Sequence, residues 1–266
     1  MKDSEAGGGF KLQGKPLMRS LLLVAALSFV LVAAKAQPDS YAFSNGLGKA
    51  WRVASWQAPD SKIGLNQGTY VPENVDFVDG MLRLKVEQTQ GPNGVNSKGA
   101  AVWTKEKYGY GTYEFVMRMA SESPTPYGPG KAHSGTVSSA FLYFQNSETE
   151  MDIEFLGNKN CLWATNWHNL NFNTPPSYSQ EVRTTDQVRN STLADQFHDY
   201  KLVWQPESVK WYIDGVLVAD HHTNVPVAAA YIMLQIRGTN SDEWGGQATL
   251  NVVRYAYVKS VKLQPE

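Results

Sequence analysis

Glu150-Met151-Asp152-Ile153-Glu154 decides how the chain is read. Acidic and apolar side chains alternate here, with Phe141-Leu142-Tyr143-Phe144 upstream and Phe155-Leu156-Gly157 downstream. Alternation with period two among aromatic and branched residues predicts a β-strand. Successive strand side chains point to opposite faces. Glu150, Asp152 and Glu154 therefore share one face, while Met151, Ile153 and Phe155 point into a core. Like charges in a row repel, and exposed strands ordinarily mix charge signs or use Thr and Lys. A merely solvated acidic face is the weaker account of this run.

The stronger account is a carboxylate pair for cleaving a glycosidic bond. A retaining glycosidase sets a nucleophile and an acid/base about 5–5.5 Å apart, flanking the scissile linkage. Residues four apart on a strand have Cα atoms roughly 13 Å apart at ~3.3 Å per residue. Two Glu side chains leaning together on a concave sheet close much of that gap. An Asp between them can share a proton with the nucleophile and hold its pKa away from that of the acid.

Outward from this run, short alternating segments are separated by Gly, Pro, Asn and Asp. Asn74-Val75-Asp76-Phe77 precedes an Asp79-Gly80 hairpin turn, and Met81-Leu82-Arg83-Leu84-Lys85-Val86 follows it. Similar strands are expected over 111–119, 137–145, 150–156, 163–167, 200–204, 209–213, 216–219, 231–236 and 250–262. So many short strands predict an all-β sandwich or jelly roll. Helix signals are weak, with one turn expected at Leu193-Ala194-Asp195-Gln196. The Pro-, Gly- and Ser-rich stretch 121–134 is expected to be a surface loop.

The chain has 266 residues and a formal charge of −1, which suits one large β domain and argues against nucleic acid or an anionic membrane as the main partner. An apolar run over 21–34, preceded by Lys15 and Arg19 and followed by Ala34-Lys35-Ala36, has the form of a secretory signal. It is shorter than the ~20 residues that span a bilayer, so cleavage is expected rather than anchoring. Residues 1–36 are then a leader and 37–266 the mature domain, secreted or periplasmic. Met18 opens a more ordinary leader than Met1. Cys161 is the single cysteine, so no internal disulfide forms, and a small buried side chain is expected there. No phosphate-binding glycine motif or metal-ligand cluster is visible. Asn190-Ser191-Thr192 is a sequon whose meaning depends on the source.

The pentapeptide resembles the E-x-D-x-E signature of glycoside hydrolase family 16, in its unbulged form. The likeness runs from about Asn74 to Val258 and includes Lys107-Tyr108-Gly109-Tyr110-Gly111-Thr112-Tyr113-Glu114, Gly135-Thr136-Val137-Ser138-Ser139-Ala140-Phe141, and Phe197-His198-Asp199-Tyr200 with Trp211-Tyr212-Ile213-Asp214-Gly215. The resemblance implies a concanavalin A-like jelly roll of two curved antiparallel sheets, with a concave cleft bordered by loops such as 121–134. It implies Glu150 as nucleophile, Asp152 as its electrostatic partner and Glu154 as general acid/base, with no cofactor. It also implies polysaccharide as the partner, and a monomer is expected. The family's structural calcium is not expected, because Ala256 stands where an Asp would help hold it.

The resemblance further implies sugar contacts. Asn166, in Ala164-Thr165-Asn166-Trp167-His168, stands where the family's Asn bonds a hydroxyl; placement beside the acidic strand would bring Asn166, Trp167 or His168 to the cleft. An ordinary strand Asn bonding backbone, and a solvated His168, are the alternatives. Phe141 matches a ring at the cleft floor or plain core. Trp244, set in Ser241-Asp242-Glu243-Trp244-Gly245-Gly246, matches a Trp that stacks on substrate, and Trp103 is a further platform. His198 is expected to brace a strand. Glu148 and Ile236 stand where licheninases carry Trp, and Trp103 where they carry Arg. These departures weaken strict mixed-linkage β-1,3-1,4-glucan specificity. A secreted endo-β-glycanase is expected, with a transglycosylase using the same site or a non-catalytic carbohydrate-binding module as alternatives.

Overall fold

The computed structural model describes residues 39–57, 68–174 and 182–266; the leader expected at 1–36 lies outside them. Among the described residues sixteen strands follow in chain order. They are β1 (Asp39–Ala42), β2 (Trp51–Val53), β3 (Thr69–Tyr70), β4 (Val75–Val78), β5 (Met81–Gly91), β6 (Gly94–Tyr108), β7 (Gly111–Ser121) and β8 (Thr136–Phe144), then β9 (Thr149–Leu156), β10 (Cys161–Trp167), β11 (Arg183–Arg189), β12 (His198–Gln205), β13 (Ser208–Ile213), β14 (Val216–His221), β15 (Ala230–Gly238) and β16 (Arg254–Pro265). Among the described residues the helical elements are two short 3-10 turns, Phe43–Asn45 and Pro72–Asn74.

The strands run in the order β11-β10-β9-β8-β15-β6-β5-β16-β7-β12-β13-β14. One layer is β11 to β6 with β2 added; the other is β5 to β14 with β1 and β4 added. The β5–β6 hairpin joins them. The first half of β5 pairs with β16, its last residues, Glu87 to Gly91, pair with the start of β6, and the rest of β6 pairs with β15. All pairings are antiparallel except the two-residue β3–β6 contact. This is the two-sheet jelly roll that the alternating pattern predicts.

The core lies between the layers. From one come Met151, Ile153, Phe155, Leu162, Ala164, Ile232, Leu234 and Ile236; from the other come Leu84, Val86, Phe115, Met117, Leu202 and Trp211, all nearly inaccessible. Burying one such large side chain is worth ~1.5–3 kcal/mol. The Trp211 indole crosses the core and donates 2.9 Å to the main-chain carbonyl of Asp152, tying the second layer to the acidic strand. Cys161 is buried and unpaired.

Candidate active site

Register builds the site. β9 lies between β8 and β10, so Glu154 stands opposite Ser139 and Trp163, Asp152 opposite Phe141 and Thr165, and Glu150 opposite Tyr143 and Trp167. Residues directly opposite in a pair share a face. The rows continue onto β15, with Gln235 beside Ser139, Met233 beside Phe141 and Tyr231 beside Tyr143, and on to Trp103 of β6 beside Met233. The acidic triplet thus sits on the outer face of its layer, with rings on either side. A slip of one residue would turn all three carboxylates into the core and Met151 and Ile153 out, which hydrophobic burial and charge desolvation both forbid.

The electrostatics separate the three acids. Asp152 is 5% exposed. Burial pushes its carboxyl well above the usual range, and the charges of Glu150 and Glu154 push it further; Arg237 and a hydrogen bond from Trp167 pull back. Asp152 is thus suited to hold a proton beside Glu150. Burial also raises Glu154, to about 7, with a contribution from Glu150; Arg237 and a hydrogen bond from the Trp244 indole oppose it. An acid that titrates near neutrality can both give and take a proton. Ser147 donates a hydrogen bond to Oε2 of Glu150.

Two devices hold these groups. The first is the turn from β8 to β9, where Gln145, Asn146 and Ser147 all have positive φ, between 40° and 61°. Such a run of non-glycine residues is costly and persists only when its surroundings enforce it. Here Asn169 does so: its N–H donates 2.8 Å to the Ser147 carbonyl and its Nδ2 2.8 Å to that of Asn146. The second device is the loop after β15. Thr239 Oγ1 donates 3.0 Å to the Gly246 carbonyl, and Ser241 and Gly246 form a bridge across the loop base. The buried Arg254 donates to Thr136, to Gln88 and to the Thr249 carbonyl. Gly245 has φ +73°, and a Cβ there would come within 2.4 Å of Thr239 Oγ1. This loop lays Trp244 over Arg237, with the guanidinium carbon 4.3 Å from the ring centre.

The structure brings Glu150, Asp152, Glu154, Phe141, Trp103 and Trp244 together. Asn166 does not join them. It pairs with Met151 and so faces the interior, where Nδ2 donates to the carbonyls of Thr223 (2.8 Å) and Asn224 (2.6 Å) and Oδ1 meets His221 Nδ1 at 2.6 Å. The members of that strand on the acidic face are its odd-numbered neighbours Trp163, Thr165 and Trp167. His168 also lies apart, lining a shallow cavity with Pro206, Glu207, His222, Asn224 and Val225. Ile236 belongs to the core, and the residues of that run on the cleft side are Gln235 and Arg237. Of the loop 121–134, the far end meets the Trp244 loop, since Ser134 Oγ donates 2.8 Å to the Gln247 carbonyl. The near end packs under the other layer, on Arg118 and Tyr257. His198 is held between Asp214 Oδ2 (2.6 Å) and Thr192 Oγ1 (2.9 Å).

Several cleft residues escaped sequence reasoning: Arg237, Ser147, Tyr70 and Trp56. Trp56 meets Trp103 and Tyr70 edge-on at 6.0 and 5.9 Å, extending the row of rings. Parity along β15 was the signal for Arg237. Nothing local points to Tyr70, which arrives from a two-residue strand.

The model for "Glycosyl hydrolases family 16" matches residues 66–257. A "Beta-glucanase" of Acetivibrio thermocellus is 30% identical over 91% of this chain and 70% of its own length. One from Paenibacillus polymyxa is 32% identical over 73% of this chain and 75% of its own. Among solved structures, "Bacillus licheniformis beta-glucanase" superposes with a TM-score of 0.70 at 24% identity, covering 87% of this chain and 99% of that one, a likeness of fold.

Proposed function

The chain belongs to glycosyl hydrolases family 16, and on that premise we propose that it is an exported endo-β-glucanase working by retention through Glu150 and Glu154. It is a glycoside hydrolase acting on O-glycosyl bonds of a polysaccharide, and β-glucanases of two bacterial genera cover most of its length. The observation that carries the mechanism is the shared face of Glu150, Asp152 and Glu154, with Glu154 raised to about 7 while Glu150 accepts a hydrogen bond from Ser147.

In the first step Glu150 attacks the anomeric carbon, the bond to the leaving oxygen breaks, and Glu154 gives that oxygen its proton. In the second, Glu154 takes a proton from water, the water oxygen bonds to the anomeric carbon, and the ester to Glu150 breaks. Asp152, whose carboxyl burial and the two flanking Glu charges push well above the usual range, can hold a proton toward Glu150 and steady its charge. Trp103, Trp163, Trp167 and Trp244 offer flat apolar faces against which sugar rings can lie. Export rests on the leader at 1–36 and agrees with an extracellular glucan as substrate.

A panel of barley β-glucan, lichenan, laminarin and xyloglucan tests the reading, with products followed by chain length and new reducing ends. Rapid shortening of at least one β-glucan is expected, and Glu150→Gln should lower that rate by at least ~10³-fold with unfolding unchanged. Lengthened chains with few new ends would instead mean transfer. A Glu150→Gln enzyme of normal activity would reject the site.

A further inference from the structure

Arg237 has no part in the chemistry just described, yet it is placed against it. Its Nη2 lies 3.4 Å from Oε1 of Glu154, with both side chains largely buried, at 14% and 13% exposure. Trp244 covers the guanidinium and also donates to Glu154. On the other side the Tyr70 hydroxyl hydrogen-bonds Arg237 and donates 2.5 Å to Gln235, whose Nε2 donates 2.9 Å to Ser139. Among the described residues the one salt bridge of Arg237 is to Glu154, and its Nε has no partner. A cation clamped this way is not a surface ornament: an enclosed ion pair is screened far less than an exposed one.

We propose that Arg237 is a positioning residue for Glu154, aiming its carboxylate and favouring the charged form that activates water in the second half of the cycle. This rests on the reading of Glu154 as acid/base. The two half-reactions ask opposite things of that carboxyl. Glu154 must carry a proton to release the leaving sugar, then be a carboxylate to take one from water. Burial and the charge of Glu150 favour the first state. Once Glu150 is esterified its charge is gone, and Arg237 then faces Glu154 with less competition. The other groups around Glu154 are Asp152 on its own strand, Tyr70 from β3, Trp163 from β10 and Trp244 from the loop; Lys159 lies beyond Trp163, 5.3 Å from its ring centre. Of these, Arg237 is the cation in contact.

The test compares wild type with Arg237→Met and Arg237→Lys by two readouts. One is kcat/KM against pH on a soluble β-glucan. The other is the 13C NMR titration of the Glu154 carboxyl in substrate-free protein, assigned by its disappearance in Glu154→Gln. In Arg237→Met the alkaline limb and the NMR midpoint should both rise by about one pH unit or more, the effect of removing an opposite charge within ~4–6 Å. Arg237→Lys, which keeps a charge, should move both less. Arg237→Gln replaces Arg237→Met if the latter does not fold. Unmoved midpoints in a folded neutral variant, or Arg237→Lys shifting as far as Arg237→Met, would overturn the proposal. The titration needs no turnover, so it reads the pairing even if no glucan is cut.

Discussion

At the scale of single residues, burial of charge and of amide groups decides most of what Glu154 and Asn166 do. Glu154 is raised to about 7 from an ordinary 4.5. Between those values the folded protein keeps a proton that the unfolded chain has lost, so stability falls as pH rises through that window. Glu154→Gln removes this slope. Thermal unfolding should show the variant gaining on wild type from pH 4.5 to 7 and holding its lead above, by roughly 3 kcal/mol at most. Asp152, raised mainly by burial, adds a slope of the same sign in both proteins. A constant difference across that range would show that Glu154 is not held protonated. Asn166 makes the contrary case. Its amide bonds the loop after β14 and His221, not solvent. Asn166→Ala leaves the Asn224 carbonyl and His221 Nδ1 without Asn166 and the Thr223 carbonyl with only the Thr184 hydroxyl at 3.3 Å, and should cost about 2 kcal/mol or more by chemical denaturation. KM should stay within about twofold; a large rise in KM with unchanged stability would return Asn166 to the cleft.

At the scale of elements, the legible strands were those with one face in the core and one in water. The acidic β9 was read correctly to its faces because Met151, Ile153 and Phe155 fix the parity. The same rule, carried across the turn into β10, would have placed Trp163, Thr165 and Trp167 in the cleft and Asn166 beneath it. Five strands were not legible: the short β1, β2 and β3, and the longer β11 and β6. β11, Arg183-Thr184-Thr185-Asp186-Gln187-Val188-Arg189, is a polar edge with almost no apolar alternation. β6 begins Gly94-Val95-Asn96-Ser97-Lys98-Gly99, and its polar start is strand only because β5 pairs with it. Residues 250–253, expected as strand, instead form a turn and its exit, pinned by Arg254 bonding the Thr249 and Val252 carbonyls. The proposed site draws on one further element, the Trp244 loop. Gly245→Ala would force a Cβ against Thr239 in a left-handed conformation, at ~1–3 kcal/mol of strain. Displacing Trp244 and, through it, Arg237 by about 1 Å should lower kcat by up to ~10²-fold. Steady-state kinetics with near-normal values would mean that the loop is a bystander.

At the scale of the whole molecule, two layers, one hairpin running from one layer into the other and a core between them hold a charged row on one outer face. Trp211 bonds the main chain of Asp152 through that core, so the second layer helps to fix a strand it does not pair with. The family is legible in the sequence, because the acidic run and the motifs spaced around it stand in order along the chain. The surroundings are not, because Arg237, Tyr70, Ser147 and Trp56 reach the site from separate segments. The most direct measurement is to trap the reaction half-way with a 2-deoxy-2-fluoro β-glucan oligosaccharide bearing a good leaving group, and to map the labelled peptide by mass spectrometry. The account predicts one glycosyl adduct, as an ester on Glu150. An adduct on Glu154, or turnover that inverts the anomeric centre with no adduct at all, would contradict it.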